Sequence, residues 1–158
     1  MILPLGSCFR GCRRCKHMAD CERNMTYTTW SNDFSVGVPV LDGQHIALLN
    51  LCRRAANCLE SDMEGATGDI QEILGQLVSY TENHFRDEEH LLRESNYPGF
   101  AAHRAEHVEY SMRLTGFLLD AGNGSIDRGA LFEYLLDWWE RHILCADKAY
   151  MAFLSPPG

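Results

Sequence analysis

Four stretches of the 158-residue chain repeat their inward positions at intervals of three and four residues, the spacing that places side chains on one face of a helix. In the first stretch these positions are Leu41, His45, Leu48, Cys52, Ala55 and Leu59, and in the second Ile70, Ile73, Leu77, His84, Glu88 and Leu91. The third offers Phe100, His103, His107, Tyr110, Leu114 and Phe117. The fourth offers Leu131, Leu135, Trp138, His142, Cys145 and Ala149. Breakers divide the stretches: Asp62 to Gly68, then Asn96-Tyr97-Pro98-Gly99, then Gly122-Asn123-Gly124, with Pro156-Pro157 at the end. Gly, Pro and Asn punctuate helices in this way. The pattern predicts an arm over 25–40 and helices over about 42–61, 69–95, 100–121 and 126–153, with Asp42 and Ser125 as N-caps. Short connections make successive helices antiparallel neighbours, so the expected fold is an all-α, up-down-up-down four-helix bundle. Residues 1–24 precede it as an N-terminal extension, expected to be disordered.

Several stripe positions carry polar groups where the pattern demands apolar ones. Five of the seven histidines do so, together with Glu88, and a buried ionisable group without a partner is heavily penalised. A single histidine at such a place is commonly a hydrogen-bonded core residue. Here all four helices contribute at once, and only His17 and His90 fall outside the set. His84 and Glu88 are four residues apart, as are His103 and His107, so each pair projects from one helical face and can chelate. His45 and His142 come singly from the other two helices. Asp147 is off register: five residues beyond His142 it is rotated by roughly 140° in a regular helix. Either its side chain reaches around, or the fourth helix widens locally to π geometry.

Imidazole and carboxylate ligands without thiolate suit iron, manganese or zinc. A structural zinc site needs only four ligands, and His45, His84, Glu88, His103, His107, His142 and Asp147 exceed that number. If Glu88 and Asp147 each bridge two ions, and a solvent oxygen bridges them as well, two six-coordinate ions retain one open position between them. A small ligand can bind there.

Composition narrows the setting. The chain is 46% hydrophobic and 23% charged, ordinary for a globular domain, and no apolar run approaches the length of a membrane span. The net charge is −8, and because Arg10, Arg13, Arg14, Lys16 and Arg23 make the extension basic, the remainder carries −11. A body that acidic repels nucleic acid and anionic membranes, so neither is an expected partner. The cysteines number seven, an odd count without a regular framework, which points to a reducing, cytoplasmic compartment. Cys52, Cys58 and Cys145 are expected to be small buried hydrophobes. Cys8, Cys12 and Cys15 have the C-x3-C-x2-C spacing of radical iron–sulfur enzymes but no accompanying α/β barrel. With His17 and Cys21 they could form a small metal knuckle. Glu89 and His90 read as a solvated face.

Three stretches, TWSNDFSVGVPVLDGQH (29–45), HFRDEEHLLRESNYPGFAAHRAEH (84–107) and WWERHILCAD (138–147), together resemble the bacterial hemerythrins. The resemblance runs from about Thr29 to Tyr150. It implies two iron ions with a bridging oxo or hydroxo group: His103, His107 and His142 on one iron, His45 and His84 on the other, and Glu88 and Asp147 bridging. It further implies reversible binding of dioxygen at the iron with two histidines, in a binding protein rather than an enzyme. Leu48, Leu49, Phe85, Trp138, Trp139 and Ile143, one helical step from the ligands, would line the oxygen pocket, together with Trp30 and Tyr150. Leu92 departs from the family, where many members have Met. The other functions weighed are a di-iron oxidoreductase acting on peroxide or nitric oxide, and an oxygen- or iron-sensing module. A histidine-rich set favours reversible binding over further oxidation.

Overall fold

Pro39 opens the first helix, earlier than the expected start at residue 42. In a computed structural model that describes residues 30–60 and 66–154, α1 spans Pro39–Glu60 and α2 spans Ala66–Glu94. α3 spans Phe100–Gly122, α4 Arg128–Arg141 and α5 Lys148–Leu154, and a six-residue π-helical segment, His142–Asp147, joins the last two. Proline suits a first helical position because its missing N–H has no partner there in any helix. The expected extension over residues 1–24 and the Cys8, Cys12, Cys15 knuckle lie outside the described residues.

Two expected N-caps are corrected. Asp42 lies inside α1, and its carboxylate accepts hydrogen bonds from Ser35 Oγ and the Val36 backbone N–H, both at 2.7 Å, which ties the arm to the helix. α4 is capped by Asp127, whose side chain accepts from the Ala130 N–H at 3.0 Å, rather than by Ser125. α2 ends where Asn96 takes a left-handed conformation, φ 55°. There the Tyr97 N–H reaches back to the Leu92 carbonyl at 3.0 Å, which satisfies a carbonyl the helix leaves open.

Contacts between helices fix the antiparallel order. Gln44, early in α1, bonds to Asp87, late in α2, while Arg54 farther along α1 bonds to Gln76 farther back in α2. Glu106 of α3 meets His142, and Arg113 lies over the Tyr134 ring. Arg128 at the start of α4 donates to the Cys58 and Leu59 carbonyls near the end of α1. The fold is the all-α, up-down-up-down four-helix bundle that the periodicity predicts.

Two apolar clusters fill the bundle. The larger includes Leu48, Cys52, Ala55, Leu74, Leu77, Phe85, Leu114, Leu135, Trp139 and Ile143. The smaller consists of the buried residues Val36, Leu41, Leu92 and Tyr150. Each large aliphatic side chain buried in this way contributes roughly 1.5–3 kcal/mol. Along α1, α2 and the fourth helix the candidate ligands sit between the two clusters in sequence, so apolar packing encloses them from both ends. Leu92, the departure from the family, is fully buried within the smaller cluster.

The π segment changes the buried stripe of the last helix. A continuous α-helix would carry it through Cys145 and Ala149, yet Cys145 is half-buried and Ala149 exposed. Asp147 and Tyr150 are fully buried instead. Widening the turn to an i→i+5 pattern advances the inward register.

Candidate metal centre

The ligand candidates converge at one level of the bundle. His45, His84, Glu88 and Asp147 are fully buried, and His103, His107 and His142 are at most 4% exposed. Glu88, His103, His107 and His142 offer donor atoms that lie within 4.8 Å of one another, and so do His45, His84 and Glu88. Glu88 is common to both groups. Asp147 also spans the two ends: Oδ1 lies 3.2 Å from His142 Nε2 and 3.7 Å from His103 Nε2, while Oδ2 lies 3.3 Å from His45 Nε2. The π segment, not a long side-chain reach, brings Asp147 to this level. In an i→i+5 turn a residue five positions on lies above its predecessor.

The donors are poorly satisfied by the protein alone. His107 Nε2 and His142 Nε2 face each other at 3.0 Å. His107 Nδ1 lies 3.1 Å from Glu89 and His142 Nδ1 lies 2.9 Å from Glu106. A carboxylate only accepts, so the neutral His142 ring spends its proton at Nδ1 and turns its Nε2 lone pair inward, while His107 Nε2 also lies 3.1 Å from Glu88 Oε2. Imidazole nitrogens and a carboxylate oxygen gathered this closely suit a shared cation. His45 Nε2, His84 Nε2 and both Asp147 oxygens have no hydrogen-bond partner among the described residues, a costly condition for buried groups.

Burial pushes the His84 imidazole down to about 3 and the His142 imidazole down to about 4, and it lowers His45 as well. These rings are neutral at neutral pH, the form that binds metal. Burial opposes ionisation of Glu88, but hydrogen bonds from His103 and His107 outweigh it and hold the carboxyl well below its ordinary range. Asp147 goes the other way, raised well above its ordinary range by burial and by the charge of Glu88. Burial opposes the charged form of His103, but the hydrogen bond and charge of Glu88 raise its pKa; neutral rings at His45, His84 and His142 beside these buried acids make a site fitted to positive charge.

Aromatic rings sheathe this cluster unevenly. Phe85 stacks on His107 at 3.7 Å between ring centroids, and Trp138 stacks on His142 at 4.3 Å. Trp139 stands beside the other end, 5.7 Å from His84 and 6.5 Å from His45, and its indole N–H donates to the Tyr110 hydroxyl at 2.8 Å. Leu48, Leu49 and Ile143 are buried in the larger cluster. Trp30 packs on Phe34 at 6.0 Å.

Comparison with known proteins adds the family. Residues 36–154 match the family model described as the hemerythrin HHE cation binding domain. The chain belongs to the hemerythrin family. A bacteriohemerythrin of Stenotrophomonas maltophilia is 30% identical over 126 residues, 80% of each chain. One from Methylococcus capsulatus is 30% identical over 141 residues, covering 83% of this chain and 99% of its own. A crystal structure of wild-type hemerythrin superposes with a TM-score of 0.71 at 26% identity, over 78% of this chain and 94% of that one. This hemerythrin-family chain therefore carries a histidine and glutamate cluster able to hold metal. No helix among the described residues is long and apolar enough to cross a membrane.

Four residues around the cluster escape a reading based on periodicity. Glu89 was expected on a solvated face; packing of α2 against α3 turns it instead to His107, and Arg104 pairs with it at 3.3 Å. His90 is exposed. Gln44 lies 3.0 Å from His84 Nδ1, and Glu106 meets His142 as described. Tyr150, expected only as apolar pocket lining, donates a hydrogen bond through its hydroxyl to Glu88 Oε1 at 2.7 Å. Burial raises the Tyr150 phenol far above its ordinary range, so that proton stays in place.

Proposed function

We propose that this chain binds dioxygen reversibly at a pair of iron ions and acts as an oxygen carrier, store or buffer rather than as an enzyme. His103, His107 and His142 would hold one ion and His45 and His84 the other, with Glu88, Asp147 and an oxo or hydroxo group between them. The observation that carries this reading is the unequal pair of ends around shared carboxylates: three imidazoles on one side, two on the other. The end with fewer imidazoles has room for a small exogenous ligand. When bound, the iron pair supplies the electrons and the open coordination position that dioxygen needs.

The protein's own groups do the rest. Trp139, beside His45 and His84, keeps bulk water from the two-histidine end. Phe85 and Trp138 do the same for the three-histidine end, with Leu48, Leu49 and Ile143 as further apolar lining. Tyr150 retains its proton and donates a hydrogen bond to Glu88, which would fix one oxygen of that bridging carboxylate. Five imidazoles against two carboxylates at the centre support binding over turnover.

Admitting dioxygen to the reduced, iron-loaded protein should produce a visible absorption band that is lost again under vacuum. An irreversible change on the first exposure would overturn reversible binding and favour an oxidoreductase. Metal analysis should find two irons per chain, and a single zinc would refute the iron pair.

A further inference from the structure

The imidazoles at the two ends are backed by different chemistry. At the three-histidine end, His107 Nδ1 meets Glu89 at 3.1 Å and His142 Nδ1 meets Glu106 at 2.9 Å. At the other end, His84 Nδ1 lies 3.0 Å from the amide oxygen of Gln44, and His45 Nδ1 has no hydrogen-bond partner among the described residues. An ionised acceptor draws the N–H proton more strongly than a neutral amide does. The opposite ring nitrogen then becomes a stronger donor to a metal. Two carboxylates therefore enrich one end, and no carboxylate enriches the other.

The direction of the Gln44 amide is itself fixed. Its Nε2 donates to Asp87 Oδ2 at 2.8 Å, and a carboxylate cannot donate back. The amide oxygen must then face His84, so His84 donates from Nδ1 and turns its Nε2 lone pair to the site. Asp87 is 43% exposed at its side chain, and Gln44 is half-buried. The chain Asp87 to Gln44 to His84 thus runs from the surface to a candidate ligand across the α1–α2 interface.

We propose that Gln44 is a positioning residue: it holds His84 as the Nδ1–H tautomer and, being an amide, keeps the two-histidine end the electron-poor end of the centre. This rests on the di-iron reading given above. An ion held there by weaker donors is oxidised less readily, which keeps bound dioxygen releasable. A carboxylate at position 44 would make the two ends alike.

The test uses the whole protein loaded with cobalt(II), whose unpaired electrons displace ligand imidazole N–H resonances in proton NMR, and then with iron for potentiometry. Gln44→Leu should lose one displaced, exchangeable N–H resonance and weaken one of the two cobalt sites by ten- to a hundredfold, the usual effect of removing an outer partner of a ligand. Gln44→Glu, combined with Asp87→Asn so that two carboxylates do not face each other, should keep that resonance, bind cobalt at least as tightly as the wild type and lower the reduction potential of the iron-loaded protein. Asp87→Ala, which frees the amide to turn, should weaken the same cobalt site less than Gln44→Leu does. Circular dichroism of each variant reports folding, and the exposed Asp87 provides a probe that does not disturb the core. Wild-type loading by two cobalt ions together with unchanged resonances, affinities and potentials in folded variants would overturn the role of Gln44 alone. Failure of the wild type to take two ions would overturn the di-iron reading, and this inference with it.

Discussion

His107 and His142 point their Nε2 atoms at each other across 3.0 Å, while carboxylates on Glu89 and Glu106 claim both Nδ1 atoms. The contact comes from α3 and the start of the π segment, two elements held together by extensive aromatic packing. That packing holds both Nε2 atoms, together with Glu88 Oε2 at 3.1 Å from His107 Nε2, in one small space. A cation among these donor atoms would bind both rings and the carboxylate at once.

Metal should therefore stabilise the fold outright. A ligand present at a thousandfold excess over its dissociation constant adds about 4 kcal/mol, and for a domain of this size each kcal/mol raises Tm by roughly 2–4 °C. Removing metal with a chelator should lower Tm by about 10 °C, and returning iron(II) under anaerobic conditions should restore it. Calorimetry of the two forms makes the comparison. Equal Tm values would show that the facing rings are not a metal site.

Asp147 gives a prediction of opposite sign in the two forms. Its carboxyl is fully buried, neither oxygen has a hydrogen-bond partner among the described residues, and burial and Glu88 raise its pKa well above the ordinary range. A carboxyl whose folded-state pKa is raised costs stability progressively as pH climbs from its unfolded pKa to that raised value, and the full cost persists above it. Asp147→Asn removes this cost in the metal-free protein and should stabilise it by roughly 1–3 kcal/mol. The same change deletes a carboxylate proposed to bridge the two ions, so the gain in Tm on adding metal should shrink. Chemical denaturation of both proteins with and without iron measures all four states. A metal-free variant less stable than the wild type would contradict the unpaired-carboxylate account.

Asp147 also shows which parts of the molecule were legible in the sequence. The bundle follows from the spacing of Leu41, Leu48, Ile70, Leu77, Leu114 and Leu135, because apolar burial dictates helical faces without reference to neighbours. The offset of Asp147 from His142 signalled that a regular helix could not serve both. Spacing alone did not choose between a long reach and a π turn, since that depends on what packs against the fourth helix. Gln44, Glu89 and Glu106 were hidden for a different reason. Each lies at the edge of a helix's polar face, where a carboxylate or amide looks the same whether it meets water or a histidine on the next helix. Their contacts span 40, 18 and 36 residues of chain, and no local pattern encodes such pairs.

Trp139 links stability to the proposed oxygen chemistry. Its ring is fully buried against His84 and His45, and its N–H donates to the Tyr110 hydroxyl. Replacing it by Phe removes the donor and part of the ring, leaving a void beside the two-histidine end. Loss of the hydrogen bond costs about 1 kcal/mol, and the void adds to that in proportion to its volume. The proposed ligands are untouched, so on the di-iron reading Trp139→Phe should still bind two irons. Water can enter the enlarged space, however, and competes with dioxygen where apolar packing had excluded it. The variant should therefore lose its oxygenated form to irreversible oxidation several times faster than the wild type, measured as decay of the visible band in air-saturated buffer. An equal decay rate, with the predicted loss of stability, would assign Trp139 to packing alone and leave exclusion of water to Phe85, Leu48 and Ile143.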